Sequence, residues 1–540
     1  MRGWDEILDV VVVGSGAAGV SAALSAQHHG ANVLVLERSD KFGGTSAISG
    51  GGSWIPNNDH MGEVGSSDSR EQALTYLRSL SLGGMDMKLA EIFVDAAPDV
   101  IRFIEGETPL SFIAIRRPDY QPEKPGGTFG RTLSPQLFPA GTLGEMRPHL
   151  RQSPMFLIPV SAQDVTDGLD LLDPAVIGNR IAKGLVGLGM ALMAGLIKGA
   201  LDKGVAFRRN ARARRLVIDD GAVVGLEYES EGQTHRIGAR RGVILASGGF
   251  EWSEGLVKDH VAGPIEAPLS PPFNEGDGLI MAMEAQAAVA NTKEAAWMPS
   301  LCIPGEEYEG RQLYRLTGSE RANPRSIMVN REGRRFVNEA HNYSDVGRAM
   351  HNFDAMTFDY PNLPAWIIVD SGYMERYPFA TRFPGDPVPR WMETADSLRE
   401  LAGKIGVDPD GLEATVERYN AHVAQGHDPD FGRGSSSYDL AYGDQSREGT
   451  LQTLGPIERG PFHACRVYSG VLSTKGGPKI NAKSEVMNVR GGAIDGLYAA
   501  GNVSGGFTGM AYPGGGGNIG PGLVFGHIAG RNAAANGNRF

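Results

Sequence analysis

The first fifty residues limit the fold more than any other stretch. Residues 9–24 read DVVVVGSGAAGVSAAL, and residues 31–46 read ANVLVLERSDKFGGTS. The β-branched run from Val10 to Val13 suits a strand buried on both faces. It breaks at Gly14-Ser15-Gly16-Ala17-Ala18-Gly19 and gives way to an alanine-rich helix. A second apolar run, Val33 to Leu36, then ends in Glu37. In such a strand–turn–helix, Gly14 makes the tight turn, Gly16 admits a pyrophosphate close to the backbone, and Gly19 lets helix and strand pack. The helix start presents free N–H groups to phosphate, and Glu37 stands where a carboxylate accepts from a ribose hydroxyl. A lone GxGxxG says little. Strand, helix, second strand and acid together predict a Rossmann-type dinucleotide-binding unit.

A chain of 540 residues exceeds what one core fills, so a second domain is expected. Its 75 glycines, about twice the usual share, sit in short clusters rather than in a repeat. The net charge of -12 offers no basic face to nucleic acid or anionic lipid. Cys302 and Cys465 are too few for a disulfide framework or a metal cluster and suit a reducing compartment; no metal is expected. The N-terminus has no leader pattern, which reads as a mature cytoplasmic protein. The stretch GLVGLGMALMAGLIKGALDKGV at residues 184–205 is short for a bilayer and is interrupted by Lys198 and Lys203. A helix packed inside a domain is expected there, with no integral membrane contact and peripheral contact left open.

The residues after Glu37 decide the dinucleotide. The loop Phe42-Gly43-Gly44-Thr45-Ser46-Ala47-Ile48-Ser49-Gly50-Gly51 resembles the one that wraps the flavin side of FAD in the flavoprotein subunits of succinate dehydrogenase and fumarate reductase. RGVILASGGF (residues 241–250), PFNEGDG (272–278) and AIDGLYAAGNVSGG (493–506) resemble later segments of that family. The resemblance implies an α/β chain. Residues 1–295 and 468–540 would form a Rossmann-type FAD-binding domain with the GR2-like flavoprotein fold, and residues 296–467 an inserted α+β substrate-capping domain. It implies cofactor contacts from Gly14, Ser15, Gly16, Ala17, Ala18 and Gly19, from Glu37 and Arg38, and from Gly43, Gly44, Thr45, Ser46, Ser49, Gly50 and Gly51. Further contacts are implied for Ala246, Ser247, Gly248, Asp277, Gly501, Asn502, Gly517, Asn518 and Ile519. Some family members tether FAD through a histidine of the first loop. None occurs between Arg38 and Asn58, so FAD is expected to be non-covalent.

Three positions exclude the dicarboxylate branch. Tyr343 comes after Asn338-Glu339 at the spacing where fumarate reductases carry a proton-donating arginine. Ser473 precedes Thr474-Lys475-Gly476-Gly477 in place of a carboxylate-binding histidine, and Tyr512 rather than an arginine heads YPGGGGNIGPG. The remaining pattern resembles 3-ketosteroid Δ1-dehydrogenases across essentially the whole chain. It comprises FGGTSA, Pro118-Asp119-Tyr120, Tyr343 before Gly347-Arg348-Ala349-Met350, the Thr-Lys-Gly-Gly run, LYAAGN and Tyr512-Pro513-Gly514.

That resemblance implies a 3-ketosteroid substrate, a new C1–C2 double bond and an external electron acceptor, quinone-like or of unknown kind. The Tyr512 hydroxyl and the Gly516 N–H would donate to the ketone oxygen, the glycines bringing bare backbone within reach. Tyr343, as a tyrosinate or a hydrogen-bonded hydroxyl, would take the proton from carbon 2. A free phenol has a pKa of about 10, so Tyr120 would relay or share the charge. Hydride would pass from carbon 1 to flavin N5. Tyr468 is a further pocket-lining candidate. Arg117 stands where the steroid enzymes carry an aromatic and could stack or reach a polar or anionic substituent. Four readings stay open beside this one: 4,5-dehydrogenation of a 3-oxo-5α-steroid, oxidation of another cyclic ketone, enone reduction, and a non-catalytic flavin carrier.

Overall fold

The computed structural model describes residues 3–168 and 172–539. β1 (Glu6–Val13), α1 (Ala17–His28) and β2 (Val33–Leu36) form where the valine runs and the glycine turn require them. Val10, Val11 and Val12 have no exposed surface, as a strand covered on both faces demands. β1 pairs in parallel with β2 on one side and with the strand Gln233–Leu245 on the other. Gln233–Leu245 pairs in parallel in turn with Ala493–Ala499. The two ends of the chain therefore build one sheet. Its β2 edge is extended by Ala206–Arg208, and an antiparallel hairpin, Arg212–Asp219 and Ala222–Ser230, lies along Gln233–Leu245.

Helix packing in this domain runs backbone to backbone. The C-terminal helix Ile519–Ala535 lies on α1, where a Cβ at Gly526 or Gly530 would come within 2.3 Å of the Ala18 carbonyl or 2.1 Å of the Ala22 carbonyl. The apolar stretch near residue 190 forms the interior helix Leu188–Asp202, buried along most of its length. Among the described residues no helix is long and apolar enough to cross a membrane.

A second, antiparallel sheet carries the middle of the chain, with strands Ala295–Tyr308, Arg311–Leu316, Ser326–Val329, Ala365–Asp370 and Phe462–Thr474. Its apolar residues Ile327, Val329 and Ile368 pack with Leu401, Leu412, Val416 and Tyr419 of the helices Leu398–Ile405 and Pro409–Ala424. Phe462–Thr474 pairs with Ala365–Asp370 over its first half and with residues 295–300 over its second, running unbroken through position 467.

Candidate active site

A cavity of about 1340 Å³ is lined from both sheets. At one end the glycine turn forms its wall. Gly14 has φ 106°, and a Cβ there would lie 2.3 Å from the Ala246 carbonyl oxygen; a Cβ at Gly19 would lie 2.0 Å from that of Gly14. At Gly16 a Cβ would meet only the Ser46 hydroxyl, at 3.6 Å, so that position opens into the cavity. Gly16 at the cap of α1 has no side chain, and the Ala17 N–H donates to the Ser46 hydroxyl at 3.1 Å. Buried Glu37 accepts from the Ser15 hydroxyl at 2.6 Å and from the Ser39 N–H at 3.0 Å, and Ser15 in turn accepts from the Gly43 N–H at 3.0 Å. The helix-start amides beyond Ala17, bare backbone and a carboxylate fixed at the edge are the groups a dinucleotide needs.

Most of the implied cofactor residues line this cavity; Gly19, Gly43 and Gly517 stand behind its wall. Arg38 and Asp277 both line it, and they pair with each other at 3.0 Å; Asp277 also accepts from Arg212 at 2.6 Å.

At the other end four phenol rings converge. The Tyr120 ring stacks on Tyr512 with centroids 5.5 Å apart and planes 18° from parallel. Tyr343 meets both edge-on, at 5.2 Å and 5.7 Å, and Tyr438 packs against Tyr120 at 5.3 Å. Each ring is fastened locally. Tyr343 opens the helix Tyr343–Ala349, whose cap Asn342 accepts from Asp345 N–H at 3.0 Å and donates to the Tyr120 carbonyl at 3.2 Å. The preceding loop rests on the fully buried Glu339 carboxylate, held by Arg335 at 2.7 Å and Arg433 at 3.1 Å. The Tyr120 N–H donates to the Pro513 carbonyl at 3.0 Å, as does the Tyr76 hydroxyl at 2.7 Å. Asp119 accepts from Trp54 Nε1 at 2.8 Å and from buried Arg131 at 2.7 Å. The Pro-Asp-Tyr and Tyr-Pro-Gly motifs thus form one clamp.

Gly516 sits in this clamp at φ 89°, and a Cβ there would lie 2.2 Å from the Gly52 carbonyl oxygen. Its own carbonyl accepts from the Trp54 N–H at 3.2 Å, while among the described residues its N–H has no hydrogen-bond partner. Desolvation pushes Tyr343 well above the ordinary phenol range, as does the neighbouring Tyr512; a hydrogen bond from Tyr120 works in the opposite direction. Tyr512 is also raised by burial, offset by hydrogen bonds from Tyr343 and from the Asn518 backbone.

Sequence reasoning missed Tyr438 and Tyr442, which come from the short helix Ser437–Tyr442 and stack on each other at 4.5 Å. No motif marks that helix. It also passed over Lys475, whose buried ammonium donates to the Ala511 carbonyl at 2.6 Å and lies 5.8 Å from the Tyr512 ring centroid. Burial pulls this lysine down to about 7. The expectation for Tyr468 is corrected: it packs against Tyr314 at 5.7 Å and under Arg466 at 4.5 Å, away from the cavity lining. The sheet's hairpin edge claims its ring.

Residues 9–519 match the family model described as FAD binding domain. The chain is 39% identical to 4-oxocyclohexanecarboxylate 2-dehydrogenase of Sinomonas cyclohexanicum, covering 97% of this chain and 92% of that protein. It is 36% identical to 3-oxosteroid 1-dehydrogenase of Mycolicibacterium smegmatis, covering 98% and 97%. Among solved structures, a 3-ketosteroid Δ1-dehydrogenase from Sterolibacterium denitrificans, in complex with 1,4-androstadiene-3,17-dione, superposes with a TM-score of 0.92. It is 33% identical over 98% of this chain and 100% of that one.

Proposed function

The chain belongs to the FAD-binding family of flavoenzymes, and on that premise we propose that it is a dehydrogenase introducing a double bond beside a ring ketone, a 3-ketosteroid at C1–C2. The convergence of Tyr120, Tyr343 and Tyr512 with the unpartnered Gly516 N–H carries this reading. The Tyr512 hydroxyl and Gly516 N–H bind the ketone oxygen and stabilise the charge that develops there when the neighbouring carbon loses its proton. Tyr343 takes that proton, and the hydrogen bond from Tyr120 favours its proton-accepting form. The glycine turn, Glu37 and the C-terminal helix start would hold FAD without a covalent link, and the flavin would supply a hydride acceptor beside the adjacent carbon. The domain expected at residues 296–467, whose last strand runs on to Thr474, caps this site over the two-segment FAD domain. An external electron acceptor then reoxidises the enzyme.

The second reading keeps the chemistry and replaces the steroid by a single ring; the 39% identity to the cyclohexanecarboxylate enzyme favours it. Anaerobic mixing of the yellow holoenzyme with androst-4-ene-3,17-dione and with single-ring ketones tests the proposal. Bleaching by a ring ketone, with a conjugated product, is expected; a flavin left yellow by every ring ketone overturns it. Regiochemistry is read from the product, a cross-conjugated dienone for 1,2-dehydrogenation and a simple enone from a 5α-steroid for 4,5-dehydrogenation.

A further inference from the structure

Five arginines line the cavity, and four are accounted for. Arg38 pairs with Asp277 at 3.0 Å, Arg151 with Glu309 at 2.5 Å and Arg376 with Asp444 at 3.1 Å, while Arg321 donates to the carbonyls of Glu339 and His341. Arg117 differs. Its guanidinium lies 4.8 Å from the Tyr442 ring centroid and touches that hydroxyl only at 3.4 Å. Its Nε is shut off from solvent without a partner, and among the described residues no carboxylate pairs with it. The half-buried guanidinium is always charged and held by one long contact, which leaves N–H groups to meet a ligand.

Its place in the site limits what that is. Arg117 precedes Tyr120 by three residues, and from Tyr120 the rings of Tyr438 (5.3 Å) and Tyr442 (4.5 Å further) lead back to the guanidinium. The aromatic wall thus runs from Tyr512, assigned to the ketone, through Tyr120, Tyr438 and Tyr442 to a cation at its other end. The 39% identity to a 4-oxocyclohexanecarboxylate dehydrogenase favours a ring that carries both the ketone and a carboxylate. A guanidinium set over a phenol ring keeps N–H groups free for two-pronged pairing with a carboxylate.

We propose that Arg117, backed by Tyr442, binds a carboxylate carried on the same ring as the reacting ketone, and that the substrate class is a single-ring keto acid. The inference rests on the dehydrogenase reading above and chooses between its two substrate classes.

The test measures binding to the dithionite-reduced holoenzyme, which cannot accept hydride, alongside bleaching of the oxidised form. The probes are 4-oxocyclohexanecarboxylate, its methyl ester, androst-4-ene-3,17-dione and a 3-ketosteroid with a carboxylated side chain. The reduced wild type is expected to bind the acid about 100-fold more tightly than the ester. Arg117→Phe erases that preference, Arg117→Lys keeps part of it, and the ester's affinity changes little in either. Equal binding of acid and ester by the wild type, or a preference that survives Arg117→Phe, overturns the assignment. So does an Arg117 dependence confined to the acidic steroid. If neutral ring ketones bleach the flavin without any acid preference, this inference alone falls; if no ring ketone bleaches it, the dehydrogenase reading falls and takes the inference with it.

Discussion

The backbone N–H of Tyr120 donates to the carbonyl of Pro513 at 3.0 Å, and that one bond brings the Tyr120 ring flat against Tyr512. Two motifs from opposite ends of the chain become a single surface. Trp54 completes it by bonding Asp119 on one side and the Gly516 carbonyl on the other.

The stack separates the ring of Tyr120 from its hydroxyl. Tyr120→Phe keeps the ring contacts and removes the hydrogen bond that lowers the Tyr343 pKa against burial. Flavin reduction by the wild type is expected to speed up as pH rises and Tyr343 approaches deprotonation. In Tyr120→Phe that rise moves to higher pH, with ketone affinity within a few-fold of wild type. Stopped-flow reduction across pH checks this, and superimposable profiles would remove Tyr120 from the proton path.

Gly516→Ala meets two obstacles: a left-handed backbone and the Gly52 carbonyl oxygen 2.2 Å from the new Cβ. A cost on the order of 2 kcal/mol is expected, taken up by a shifted loop. Because the shift displaces the Gly516 N–H, flavin reduction should slow by about 100-fold. The thermal midpoint and the reduction rate are both measured; an alanine variant as fast as wild type removes this amide from the oxygen site.

His341 ties the Tyr343 loop to two acids, Asp345 at 3.3 Å and Asp439 at 3.9 Å. Burial alone would depress it, but these carboxylates win and lift it to about 9. Its folded pKa lies above the unfolded value of about 6.5. Its contribution, on the order of 2 kcal/mol, is therefore full below pH 6.5 and is lost as pH rises through about 9. Denaturation of His341→Gln beside wild type should show a large stability gap at pH 6 that closes by pH 10. A gap constant across that range contradicts the charged pairing.

How far this was legible in the sequence differs by residue. Gly14, Gly16 and Gly19 could be placed from local spacing because turn, helix and strand are adjacent in the chain. The meeting of Tyr120, Tyr343 and Tyr512 was legible only through family resemblance, since nothing local aims three distant phenols at one point. Tyr438 and Tyr442 were silent, as their helix carries no motif and is placed by tertiary packing. Arg38 and Asp277 were each expected to face the cofactor, but their mutual ion pair spans 239 residues and left no local trace. Tyr468 failed because a strand long enough to serve both ends of the sheet gives one end to the cavity and the other to the hairpin.

Anaerobic stopped-flow reduction of the Tyr343→Phe holoenzyme by a ring ketone bears most directly on the chemistry. The substitution keeps the ring against Tyr120 and Tyr512 and deletes only the hydroxyl. Ketone binding close to that of the wild type, with flavin bleaching slowed by about 1,000-fold or more, is the expected result. Bleaching at the wild-type rate would mean that the proton leaves to some other group, and the tyrosine cluster would lose its central member.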